Sequence, residues 1–171
     1  ILDIAQNSIS AGASLTEIVV NENTKEKTLL IGIYDNGCGM TEEQVKSVID
    51  PFFTTRTTRK VGMGIPLFKM SCEQTGGKFT IESEKGVGTK INALYKTDSI
   101  DFTPLGDIAS TIVTIVSMNA DKEFLYRRVL DDKEFIFSTV EIKKFLDTDP
   151  ISETDTEVAA ALIDKYYVSL K

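Results

Sequence analysis

The stretch DNGCGM, residues 35–40, follows the nearly all-apolar run TLLIGIY and runs into TEEQVKSVI. An Asn-Gly step after a strand usually marks a hairpin, and alone the segment reads as such a turn. Here no second strand follows. Thr41 and Gln44 have the spacing of a capping box, and Met40 and Val45 that of a hydrophobic staple. A helix is therefore expected from about residue 41, stopped by Pro51. A strand that passes through an acid and two glycines into a helix calls for helices layered on a sheet.

The flanking segments extend that pattern. Ile1, Ile4, Ala5, Ser8 and Ile9 form one stripe at helical spacing, Asp3 and Asn7 share another face, and Gly12 fits a stop. LTEIVVNE reads as a strand and NTKEK as a polar turn. Residues 28–34 read as a second strand, apolar enough to suggest burial on both faces. Residues 52–62, FFTTRTTRKVG, have no clean period and form a long loop, which suits a lid or binding segment. GMGIPLFKMSCEQTGG is a glycine step, then a helix with Pro66 in its first turn and Gly76 at its stop. KFTIES and TKINALYK alternate as strands around the turn EKGVG.

From about residue 98 the character shifts. TDSIDFTPLGD is a connector, and IASTIVTIVSM is expected to be helical. EFLYRRVL and EFIFS flank DDK as a hairpin, Ser138 and Glu141 cap VEIKKFL, and TEVAAALIDKYYVSL reads as a final amphipathic helix. The expected organisation is one domain over 1–97 and a small α/β appendage over 98–171.

The totals narrow the chemistry. A chain of 171 residues can hold one domain with a real core, or one domain plus a small appendage. Its net charge of −7 argues against a nucleic-acid or anionic-membrane surface as the main partner. Two cysteines, Cys38 and Cys72, are too few for a disulfide framework. The absence of histidine removes the commonest ligand of zinc and haem sites, leaving acid–base work to carboxylates, lysine or tyrosine. No apolar run approaches the roughly 18 residues that span a bilayer. With no signal peptide, a cytoplasmic protein is expected, and a first residue of Ile1 suggests a start inside a longer chain.

Three groups of residues point to a ligand. Gly62 and Gly64 precede a helix whose free N–H groups favour an anion, and Arg56, Arg59 and Lys60 lie in the loop before it. A phosphate site fits, and so does a glycine-punctuated loop with solvated cations. Asp35, at the end of a buried strand, can accept from a flat ring's amino group, with Gly37 and Gly39 clearing space. Asn7 offers a neutral oxygen to a hard cation such as Mg²⁺, and Asp3 can orient or deprotonate a water. Each reading alone competes with a turn or a solvated helix face. Together they ask for one ligand, a Mg-nucleotide.

In that order the residues resemble the ATPase superfamily grouping gyrase, heat-shock chaperones, histidine kinases and mismatch-repair proteins, the GHKL or Bergerat ATP-binding fold. QNSISAGAS is similar to the asparagine box in its mismatch-repair form, and DNGCGM to the first glycine box. DPFFTTRTTRKVGMGIPLFKMSCEQTGGKFTIESEKGVGT resembles the histidine-kinase lid and later glycine boxes. The match covers about residues 1–96. The resemblance implies an α/β two-layer sandwich, a mixed sheet with helices on one face and ATP between helices and lid. By position it assigns Mg²⁺ to Asn7, the adenine amino group to Asp35 with Thr89 nearby, and the border of the base to Gly37, Gly39 and Met40. It puts Thr55, Arg56, Gly62, Met63 and Gly64 near the phosphates and makes Asp3 the catalytic carboxylate, where mismatch-repair and gyrase members place glutamate. Thr75 stands where many kinases have histidine. The chain has no phosphoacceptor histidine, so the resemblance implies phosphoryl transfer to a partner protein in trans, or a kinase-like regulatory subunit in signal transduction. The alternative is a nucleotide-gated interaction protein with slow ATPase activity. No nucleic-acid partner is expected, and a homodimer stays open.

Overall fold

A computed structural model describes residues 1–50, 63–147, 151, 157–158 and 160–163. Its centre is a six-stranded mixed sheet in the order β3-β4-β2-β1-β5-β6. Strand β1 (Leu15–Asn23) pairs antiparallel with β2 (Thr28–Asp35), and β2 with β4 (Gly88–Lys96). Strand β3 (Lys78–Glu84) closes one edge, and the hairpin of β5 (Glu123–Leu130) and β6 (Lys133–Ser138) forms the other. Among the described residues, the one parallel pairing joins β1 to β5.

Register places Ile18, Ile33 and Ile91 side by side, and Val20, Ile31 and Ala93 in the next row. These residues are buried in one core with Ile4 and Ala5 of α1 (Leu2–Ser10), Phe68 and Cys72 of α3 (Gly64–Gln74), and Ile112 and Ile115 of α4 (Ile108–Met118). The run 28–34 is not enclosed on both faces as its composition suggests. Leu29, Ile31 and Ile33 are buried, whereas Leu30 and Tyr34 are half-buried on the opposite face. There the strand shields itself. Tyr34 lies so close over Gly32 that a Cβ at that glycine would sit 2.5 Å from its hydroxyl oxygen, and the hydroxyl donates to Asn92 Oδ1 at 2.7 Å.

Helix starts follow their local code. Thr41 accepts the Gln44 N–H at 3.3 Å, and Gln44 Oε1 accepts the Thr41 N–H at 2.9 Å, which opens α2 (Glu42–Ile49). Asp107 caps α4 by accepting from Ser110 N–H at 2.9 Å, and Ser138 accepts the Glu141 N–H at the start of α5 (Thr139–Leu146). Helical residues recur at 157–158 and 160–163, where Ile163 joins the core. Pro51, and the loop expected over 52–62, lie outside the described residues. No helix among the described residues is long and apolar enough to cross a membrane.

Candidate nucleotide site

Helix α1 spans the candidate site. Near its start, Asp3 abuts the first residue of α3: a Cβ built on Gly64 would lie 3.0 Å from Asp3 Cβ. A side chain there would crowd Asp3, so glycine suits this close approach of the two helices. Five residues on, about 7.5 Å along the helix axis, Ser8 reaches the end of β2 and donates to Asp35 Oδ2 at 2.7 Å. Asn7 lies between these two contacts along the chain, and like Asp3 it is exposed. The helix thus joins the N-terminal end of α3, where the first turn of a helix leaves backbone N–H groups without intrahelical partners, to a carboxylate at a strand end.

The segment after Asp35 is clamped by backbone and side-chain bonds. Asp35 Oδ1 accepts the Gly37 N–H at 2.9 Å, and Cys38 N–H donates to Ala11 O at 2.9 Å. Cys38 O accepts the Gly86 N–H at 2.8 Å. Met40 N–H donates to Ser83 Oγ at 2.8 Å, and Ser83 in turn bonds Gly88 O and Thr89 Oγ1, each at 2.9 Å. Gly39 has φ +62, and a Cβ there would fall 1.9 Å from Glu84 O. Asn36 faces the other way: its Oδ1 accepts the N–H groups of Ser14 and Leu15 and fixes the turn between α1 and β1. A turn in which nearly every residue is tied to a neighbouring element is a rigid wall rather than a hairpin.

The structure brings Asp35 and Thr89 together as cross-strand partners on β2 and β4. It likewise joins Gly37, Gly39 and Met40 into the wall, and Gly64 to Asp3, with Met63 exposed at the head of α3. Thr55, Arg56 and Gly62 lie outside the described residues, as do Arg59 and Lys60. Thr75 serves architecture: buried, it donates to Cys72 O at 2.7 Å and accepts the Lys96 N–H at 3.0 Å, tying the end of α3 to β4. Burial pushes the Cys72 thiol up, as does Glu73 to a lesser degree, which keeps it protonated and inert.

Two residues of the arrangement escape a reading by pattern. Ser8 sits in the apolar stripe of α1, where a small polar residue passes for filler. Its signal is a hydroxyl at a core position directly after the exposed Asn7. Ser83 gives no such signal, because its partners come from two other segments, Met40 after the turn and Gly88 and Thr89 at the start of β4.

Comparison with known proteins identifies the family. The family described as "Histidine kinase-, DNA gyrase B-, and HSP90-like ATPase" matches residues 1–99. Sporulation kinase E of Bacillus subtilis is 39% identical over 61 residues, which cover 36% of this chain and 8% of that protein. Sensor protein RprX of Bacteroides fragilis is 30% identical over 97 residues, 53% of this chain and 19% of that protein. The chain thus spans a small part of the length of these relatives. Among solved structures, the Aquifex aeolicus MutL ATPase domain complexed with ADP aligns with a TM-score of 0.56 at 16% identity. That alignment covers 86% of this chain and 67% of the other, so the shared fold extends past residue 99.

Proposed function

The chain belongs to the histidine kinase-, DNA gyrase B- and HSP90-like ATPase family, and from that premise we propose that it binds ATP with Mg²⁺ for phosphoryl transfer to a partner protein or as a kinase-like regulatory subunit. The observation that carries the reading is the reach of α1, which touches the head of α3 through Asp3 and the end of β2 through Ser8.

In this reading Asp35 accepts from the adenine amino group with Thr89 beside it, and Gly37, Gly39 and Met40 border the base. The head of α3, Met63 and Gly64, receives phosphate oxygens, joined by Thr55, Arg56 and Gly62 of the preceding segment. The donor set suits a hard cation. Asn7 and Asp3 offer exposed oxygens, and no cluster of three or more acidic, Cys or His side chains forms a protein cage among the described residues. Mg²⁺ commonly takes one or two protein ligands, with water and phosphate oxygens completing its shell. Bound there, it would neutralise charge on the phosphates. The protein's own part is positioning: Asp35 fixes the base, and the amide groups of α3 hold the phosphate end. With no histidine among the 171 residues, a histidine acceptor would lie outside this stretch of sequence.

A second reading, a nucleotide-gated interaction protein with slow ATPase activity, is supported by the Asp3 carboxylate at the head of α3, where it can act on a water. Incubation with γ-labelled ATP and Mg²⁺, with and without host lysate, separates the two. Label on a partner protein supports phosphoryl transfer, and free phosphate alone supports the ATPase switch. Failure to bind ATP at all sinks both.

A further inference from the structure

Ser8 is 4% exposed and its hydroxyl has one proton with two acceptors in view, Asp35 Oδ2 at 2.7 Å and the backbone oxygen of Ile4 at 3.4 Å. The shorter, better contact goes to the carboxylate. The other oxygen of Asp35 is held by the Gly37 N–H at 2.9 Å. One donor on each oxygen fixes the plane of the carboxylate, and the lone pairs left over can only accept.

We propose that Ser8 is a positioning residue that sets the selectivity of the base pocket for a purine with an amino group at C6 over one with an oxo group. The proposal rests on the nucleotide site described above and adds its discriminating element. An amino group donates into the lone pairs that Ser8 and Gly37 leave free. An oxo group sets oxygen against oxygen, because a carboxylate locked as an acceptor has no proton to turn toward it. Without the hydroxyl, Asp35 keeps one restraint, and its carboxylate can turn away from a carbonyl. A site built around a fixed acceptor rejects the wrong edge strongly, since the mismatch leaves buried polar groups unpaired.

The test uses ATP and inosine triphosphate, which differ at the C6 edge, titrated calorimetrically into the wild-type protein, Ser8→Ala and Ser8→Thr. Alanine suits a helix interior, so the first variant removes little but the hydroxyl. The wild type should prefer ATP. Ser8→Ala should lower that preference by at least about tenfold, the loss expected for a hydrogen bond to a charged group. Ser8→Thr, which restores a hydroxyl, should restore the preference. Equal weakening of both nucleotides in Ser8→Ala would assign Ser8 to packing alone and overturn the proposal. A wild type that binds both nucleotides equally overturns the selectivity but leaves the nucleotide site standing. A wild type that binds neither removes the site itself, and the proposal with it.

Discussion

Gly39 shows how narrow the choices are at single positions. Its φ of +62 lies where side chains are rarely accommodated, and any Cβ would overlap the Glu84 carbonyl at 1.9 Å. Gly39→Ala should therefore cost roughly 1–3 kcal/mol of stability, read as a lower midpoint in urea unfolding, and should weaken ATP binding by moving the wall. A variant with unchanged midpoint and affinity would show that the wall is soft. The pair of glycines and the acid in DNGCGM were legible because a strained turn leaves its mark in adjacent residues. The bond from Ser8 to Asp35 joins residues 27 apart in sequence. The one local hint is a hydroxyl at a core position beside the exposed Asn7, and it is faint because a buried hydroxyl and a buried methyl fill similar space. The same limit applied to Ser83, while Thr75, noted in the sequence only as a departure from the kinase motif, makes bonds that serve the fold.

Elements declared themselves where their ends are coded locally. Thr41 with Gln44, and Ser138 before α5, each supply the bond that a helix start lacks, and in the structure Asp107 does the same for α4. Asp107 also makes α4 sensitive to acid. Its hydrogen bonds from the Ser110 side chain and backbone hold the carboxyl below the usual carboxylate value. A folded-state value lower than the unfolded one contributes stability above the unfolded value, and that contribution is lost as pH falls through the folded one. The melting temperature of Asp107→Ala should thus trail the wild type near neutrality, with the gap closing in acid below the ordinary carboxylate range. A gap that persists there would place the effect elsewhere. The burial of β2 was misjudged from its composition, because an apolar run cannot tell a covering layer from a strand that folds its own Tyr34 across its face.

At the scale of the molecule, the family match ends at residue 99 while the sheet continues. Strand β5 pairs with β1 from Leu15 to Glu22, and the buried Arg128 of β5 donates to Glu22 and to the backbone oxygen of Val20. Helix α4 packs on α1, the helix that holds Asp3, Asn7 and Ser8. Sequence could announce the change of character near residue 98. It could not announce a parallel pairing between strands about 108 residues apart, because no local signal reaches across that separation. One hydrophobic core crossing residue 98 should melt in one cooperative transition by calorimetry, and two resolved transitions would mark 98–171 as a unit that folds by itself. The same continuity connects the β5–β6 side of the sheet through β1 and α4 to α1, the helix of the proposed nucleotide site. The central claim, a Mg-nucleotide site along α1 closed by the Asp35 wall, is tested most directly by titrating ATP into the protein with Mg²⁺ and with EDTA, beside Asp35→Asn. Saturable binding that requires Mg²⁺ and weakens about tenfold or more in the variant is expected. Absence of binding by the wild type, or equal binding by the folded variant, would contradict it.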